Sequence, residues 1–178
     1  MSFARVRALV VIGVLAVAAV VFVIVALVRD TQRDAVAGDT CPPGAPVADI
    51  TLPDDPDQVT VKVLNGTNTP GLAESVTNEF KNRRFKVQAP GEDKKRVKDV
   101  AVIRYGPGAV GYAQLLEAYF IGQATPEYNP KRKGNVVDIV VGSQYRQLAT
   151  TTEVNQSLVE LGEPQVPPGA CAAPAKKS

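Results

Sequence analysis

The sequence predicts an α/β (α+β) domain, a four-stranded sheet with two helices on one face in the order β-α-β-β-α-β, carried behind an N-terminal transmembrane helix. Three observations predict it. Residues 8–28 form an unbroken stretch of 21 positions without a charge, proline, asparagine or glutamine. Four short runs rich in β-branched residues follow, and two stretches between them place apolar residues at helical spacing.

As a helix, residues 8–28 cross a hydrocarbon core of about 30 Å, and residues 1–34 read as a membrane anchor. The rival reading is a cleaved signal peptide, because Ala35-Val36-Ala37 offers a small-x-small site. Secretory apolar regions run about 7–15 residues, however, and the charged stretch 29–34 separates this one from the site. Arginines flank the helix on both sides, Arg5 and Arg7 before it and Arg29 and Arg33 after it, so they leave the orientation open. The cysteines decide it. Cys41 and Cys171 are the only two and bracket the globular part. Paired, they close a loop near 130 residues with a clasp worth up to about 5 kcal/mol, which serves a purpose outside a reducing cytosol. The domain is therefore expected to be extracytoplasmic. Gly38-Asp39-Thr40 precedes Cys41, which is not the small apolar run of a lipid-attachment site.

Residues 35–58, with Pro42, Pro43, Pro46, Pro53, Pro56 and the acids Asp54, Asp55 and Asp57, read as a spacer. Residues 59–64 alternate as a first strand, with Asn65-Gly66 as its turn. Thr69-Pro70 opens a helix that presents Leu72, Ala73, Val76 and Phe80 on one face and ends near Arg84. Residues 85–88 form a second strand, Pro90-Gly91 a turn, and residues 100–105 a third strand. Tyr112, Leu115, Leu116, Tyr119 and Phe120 then mark a second helix stopped by Gly122. Residues 136–141 are the fourth strand, completing a split βαβ plan over 59–142. In the extension 143–178, Thr150 and Glu153 make a capping box for a short helix over 152–161, and the last dozen residues look loose.

Histidine and tryptophan are absent, which removes histidine-based triads, histidine metal sites and the commonest general base. No paired carboxylates, nucleophile with a base or metal-ligand spacing is evident, so we expect no catalysis, cofactor or metal. Setting aside the four arginines and two aspartates of residues 1–34 leaves equal numbers of bases and acids, which gives no field to recruit nucleic acid. Gly106-Pro107-Gly108-Ala109-Val110-Gly111 matches G-x-G-x-x-G between a strand and a helix. Pro107 lacks an N–H, only one strand follows, and no acid ends it, so the motif reads as a tight turn. The loop Asn65, Gly66 and Thr67 is a candidate anion site through its N–H groups and the following helix N-terminus, although turn and cap chemistry explain most of it. Under the split plan the two strand-to-helix loops lie at opposite ends of the sheet and share no site. Asn65-Gly66-Thr67 and Asn155-Gln156-Ser157 also fit the glycosylation pattern, a short motif of little weight. Eight basic residues crowd between Lys81 and Lys98, and Lys131-Arg132-Lys133 adds a second cluster. Arg83, Arg84, Lys94, Lys95, Arg96 and Lys98 are therefore candidates for holding an anionic partner; the bland alternative is a solvated face.

The run Val61-Lys62-Val63-Leu64-Asn65-Gly66-Thr67 followed by Pro70-Gly71-Leu72-Ala73 resembles the opening of the LytR C-terminal domain family. Tyr105-Gly106-Pro107-Gly108 with Ala113 and Leu116 is similar to that family's second strand, turn and helix, and the last strand ending at Gly142 fits as well. The resemblance covers about residues 59–142. With a membrane helix ahead and two flanking cysteines, the whole chain is similar to actinobacterial proteins of envelope integrity. The resemblance implies a membrane-bound cell-envelope role, with cell-wall glycopolymer, its lipid-linked precursor or envelope proteins as partners. In the family the domain often follows a LytR-CpsA-Psr catalytic module; residues 35–58 are too few to form one, so no catalytic residue is carried over. Asn82-Arg83-Arg84-Phe85 departs from the glycine that many relatives place before the aromatic and adds charge there. The leading expectation is a binding module, and the alternative is a scaffold or regulator that binds other envelope proteins.

Overall fold

A strand that is apolar on both faces needs neighbours on both edges and cover on both sides, and residues 136–141 are such a strand. The computed structural model, which describes residues 13, 15–21, 41 and 43–172, places it at the centre of the sheet. The strands are β1 (Val47–Ala48), β2 (Thr60–Asn65), β3 (Lys86–Val87), β4 (Gly91–Glu92), β5 (Ala101–Tyr105), β6 (Thr125–Tyr128), β7 (Val136–Val141) and β8 (Cys171–Ala172). The helices are α1 (Leu72–Asn82), α2 (Val110–Tyr119) and α3 (Thr151–Leu161). The chain divides into two units, residues 1–40 and 41–178. In the first, Gly13 and residues 15–21 are helical. The remainder of the predicted membrane span lies outside the described residues, among which no helix is long and apolar enough to cross a membrane.

The main sheet runs β3-β2-β7-β5-β6, with β4 also on the outer edge of β2. Strand β7 is parallel to β2, from Thr60↔Val136 to Asn65↔Val141, and antiparallel to β5, with Ile103 opposite Ile139. This corrects the four-stranded split βαβ plan: the predicted first and third strands are not neighbours, because β7 lies between them. The physical reason is burial. Val137, Ile139, Val140 and Val141 are all fully buried, a pattern that fits a central strand and not the edge that the split plan assigns to it. The sheet also holds more than four strands. Strand β6, Thr-Pro-Glu-Tyr, is polar and contains Pro126, which suits an edge and hides it from a reading by apolar pattern. Strands β3 and β4 pair with the two ends of β2, so the stretch around Pro90, read as a turn, interrupts one edge.

Both helices cover one face, as predicted. Val61 and Val63 of β2, Ala101 and Ile103 of β5, and Val137 and Ile139 of β7 face them. The helices meet in an aromatic cluster: the Phe80 ring lies edge-on to Phe85 with centroids 5.2 Å apart and 6.0 Å from Tyr119. Helix α3 carries the predicted capping box, in which the Thr150 side chain accepts from Glu153 N–H and Glu153 accepts from Thr150 N–H. Gln114 of α2 donates to the Gly162 carbonyl at its far end.

The described part of the Pro-rich stretch read as a spacer is docked on the domain. Ala48 is fully buried, and Ile50 packs against the core. Strand β1 pairs in parallel with β8, and the predicted Cys41–Cys171 bond closes beside them, its Cα atoms 5.9 Å apart. In the C-terminal stretch that looked loose, Pro167 and Cys171 are buried and Ala170 packs on the core. Leu116 is fully buried beneath α2. Leu116→Ala is expected to cost about 2–5 kcal/mol in a denaturant titration, and a loss below about 1 kcal/mol would place that helix face outside the core.

Candidate functional site

The candidate basic residues lie within 16 positions of one another in the sequence but are divided by the fold. Arg83 and Arg84 end α1 beside Lys86, which pairs with Thr60 at the start of β2. Lys94, Lys95, Arg96 and Lys98 follow β4, which pairs with Leu64 and Asn65 at the other end of β2. A strand of six residues at about 3.3 Å each keeps the two groups about 17 Å apart.

The two arginines at the helix end have different fates. Arg83 donates to the Ala149 carbonyl and, at 3.5 Å, to that of Leu148, and its guanidinium lies 5.3 Å above the Tyr119 ring. It ties α1 to the segment that leads into α3. Arg84 sits in the left-handed region at φ 72°, points to solvent and reaches Asp57 at only 3.9 Å. In the second group, Arg96 donates to the Thr67 carbonyl and lies 3.8 Å from Glu92. Lys94, Lys95 and Lys98 are exposed. Among the six candidates, these three present their charge to solvent without a close partner, and Arg84 has only its exposed contact with Asp57.

The Asn65, Gly66 and Thr67 loop is closed on itself. Asn65 and Thr67 are 2% and 8% exposed. The Asn65 carboxamide oxygen accepts from Thr67 N–H at 2.9 Å and from its hydroxyl at 2.8 Å, while Gly66 N–H donates to the Val141 carbonyl. The hydroxyl of Thr67 in turn accepts from Thr69 N–H, so the N–H groups of Gly66, Thr67 and Thr69 are used within the protein. The shallow cleft next to this loop, about 330 Å³ in volume, is lined by Glu74 and Glu92 as well as by Gly71, Ala73, Pro90 and Gly91, a lining that disfavours an anion.

The G-x-G-x-x-G turn has a structural explanation at each glycine. A Cβ on Gly106 would come within 2.6 Å of the Arg132 carbonyl oxygen, on Gly108 within 3.1 Å of that of Gly134, and on Gly111 within 2.0 Å of that of Thr51. The first turn of α2 is also occupied by protein, because Gly111 N–H donates to the Asp49 carbonyl. The two strand-to-helix loops do lie at opposite ends of the sheet, since β2 and β5 run in opposite directions.

Sequence reasoning missed the face of the sheet away from the helices. The register sets Lys62, Asp138, Arg104 and Glu127 side by side on four adjacent strands, a row of alternating charge. Arg104 pairs with Asp93 and, at 2.9 Å, with Glu127; Arg132 reaches back to Asp138 at 2.8 Å. Burial works against the Asp93 carboxylate, but Lys95 N–H and the Arg104 guanidinium outweigh it and hold its pKa below the ordinary value. The signal lay in the polar residues that alternate with apolar ones along each strand. On the helix side, burial pushes the pKa of Glu117 up to about 7. The nearby Tyr105 is raised by burial and by the Glu117 charge, and the Tyr128 hydroxyl is buried without a hydrogen bond. Among the described residues, no group of three or more His, Cys, Asp or Glu side chains could hold a metal ion.

Fold and surface together define a disulfide-clasped α/β module with a charged sheet face and an exposed lysine loop at one end. Residues 58–145, just under half of the chain, match the family described as LytR cell envelope-related transcriptional attenuator, so this domain is similar to the LytR C-terminal family. No curated protein matches the chain. A solved structure similar to it is the soluble domain of a conserved hypothetical secreted protein (Rv2700 ortholog) from Mycobacterium marinum. The TM-score is 0.54 at 22% identity, over 65% of this chain and 82% of that one, a likeness of fold.

Three substitutions test these assignments. Arg83→Ala removes two hydrogen bonds to carbonyls and a ring contact and is expected to cost about 1–3 kcal/mol, whereas Arg84→Ala stays within about 0.5 kcal/mol; equal losses in thermal melts would contradict the division. For Glu117, a folded pKa above the unfolded one means that stability is full below about pH 4.5 and is lost as pH rises through about 7. Allowing for its partial exposure, Glu117→Gln should stabilise the domain by about 1–2 kcal/mol at pH 8 and by nothing at pH 4. A difference independent of pH would remove the buried carboxyl from the account.

Proposed function

We propose that this chain is a membrane-anchored, extracytoplasmic binding module of the cell envelope. It holds an anionic component, a glycopolymer or its lipid-linked precursor, and catalyses no reaction. The observation that carries the reading is the loop with Lys94, Lys95 and Lys98 exposed together, on a domain similar to a family described as cell envelope-related. Arg83 and Arg96 serve the fold in this reading, and Arg84 is remote from the contact. The anchor is residues 8–28, by their length and apolar character. Two features support an extracytoplasmic location: a disulfide joining the ends of the domain, and the description of the Mycobacterium marinum protein as secreted.

Exposed lysines bind anions through a field screened within about 10 Å at 0.1 M salt. Binding of the full chain to anionic vesicles or purified glycopolymer is therefore expected to fall steeply as salt rises. Reversal of Lys94, Lys95 and Lys98 to Glu should abolish it, with stability changed by about 0.5 kcal/mol or less per site. Binding that survives the triple reversal would reject the loop as the contact. For topology, a reporter active only outside the cytoplasm, fused after Ser178, is expected to give signal on a chain that keeps residues 1–34. A mature N-terminus at Gly38 would identify a cleaved signal instead.

A further inference from the structure

Residues 49–52 cross the first turn of α2, and the described residues from Cys41 to Leu52 are held by few contacts of their own. The ladder between β1 and β8 is two residues long. Three further hydrogen bonds fix the segment: Cys171 N–H to the Pro46 carbonyl at 2.9 Å, Asp49 N–H to the Pro107 carbonyl at 2.8 Å, and Gly111 N–H to the Asp49 carbonyl at 3.1 Å. Among its described residues one side chain is fully buried, the methyl group of Ala48, and Ile50 is half-buried against the core; Val47, Asp49, Thr51 and Leu52 are exposed. The body of the domain is held differently, by the six-residue register of β2 with β7 and the fully buried side chains around it. Segments with few buried apolar contacts open locally at low cost, well below global unfolding. The covalent bond from Cys41 to Cys171 is the strongest tie the segment has. Its two ends differ in access, because Cys41 is exposed and Cys171 is buried.

We propose that residues 41–52 are a redox-latched strap, kept seated on α2 by the Cys41–Cys171 bond and released when that bond is reduced, while the sheet and its helices stay folded. A dithiol reductant attacks from the Cys41 side as a thiolate and forms a mixed disulfide. Its second thiol then displaces the remaining cysteine. The net exchange leaves two cysteine thiols and the reductant's own disulfide, with both protons and both electrons supplied by the dithiol. The consequence rests on the proposed membrane anchor. With the bond closed, the chain before Cys41 is tied to the domain at Cys171; with it open, the roughly twelve residues of the strap join the tether and add up to roughly 40 Å of reach.

Hydrogen exchange on the full chain in detergent micelles, oxidised and then reduced with dithiothreitol, tests the latch. Reduction is expected to bring the amides of Asp49, Gly111 and Cys171, whose hydrogen bonds seat the strap, at least tenfold closer to unprotected rates than those of β2 and β7, which lose only the clasp's share of global stability and stay protected by orders of magnitude. A Cys41→Ser, Cys171→Ser double variant should show the same pattern without reductant. Unchanged strap amides would overturn the proposal, because the seat alone then suffices. Loss of protection in β2 and β7 down to the level of the strap amides would overturn it too, because the bond then holds the whole fold. These readings do not depend on the anchor. If the anchor reading fails, the chain stays in the aqueous phase without detergent and the gain in reach falls, while the amide result stands.

Discussion

The structure depends on one strand, β7, taking its place between β2 and β5. It pairs along its whole length with β2 and along most of it with β5, and its side chains from Val137 to Val141, Asp138 apart, are buried on both faces. Removing that strand would leave two separate parallel units, β2-α1-β3 and β5-α2-β6, each too small to cover its apolar face. Its direction also sets the arrangement of everything at the sheet's ends. Because it is parallel to one neighbour and antiparallel to the other, the loops that follow β2 and β5 leave from opposite ends.

Much of what resembles ligand-binding apparatus in this chain is used to hold its own backbone together. The glycines of the Gly106–Gly111 turn admit three carbonyls from Thr51, Arg132 and Gly134, and at the helix N-terminus that a phosphate could occupy Gly111 N–H donates to the Asp49 carbonyl instead. Asn65 and Thr67 use their polar atoms to shape the entry to α1. A buried polar group left without a partner is costly, and these loops meet that demand internally.

The same logic separates the basic residues. Arginines near carbonyls and rings, Arg83 and Arg96, are drawn into hydrogen bonds that a planar guanidinium forms well. Lysines on the loop after β4 have no such partners and stay in solvent. A count of positive charge along the sequence treats these alike. Their availability to a ligand differs because each hydrogen bond to the fold fixes the orientation of the charge that makes it.

The sequence by itself determined the local elements. Apolar spacing located α1, α2 and the strands β2, β5 and β7; Thr150 and Glu153 announced the cap of α3; and the two cysteines announced their bond, because each of these signals is carried by residues close in the chain or by residues with a single available partner. Tertiary structure alone decided the order of the strands, since pairing between β2 and β7 joins residues some 75 positions apart whose apolar pattern fits several neighbours. It decided that the Pro-rich stretch packs on the domain, because that packing rests on backbone hydrogen bonds and a glycine notch and not on a run of large apolar side chains. It also decided that one basic cluster is two, since the length of a strand separates groups that lie only ten positions apart in sequence.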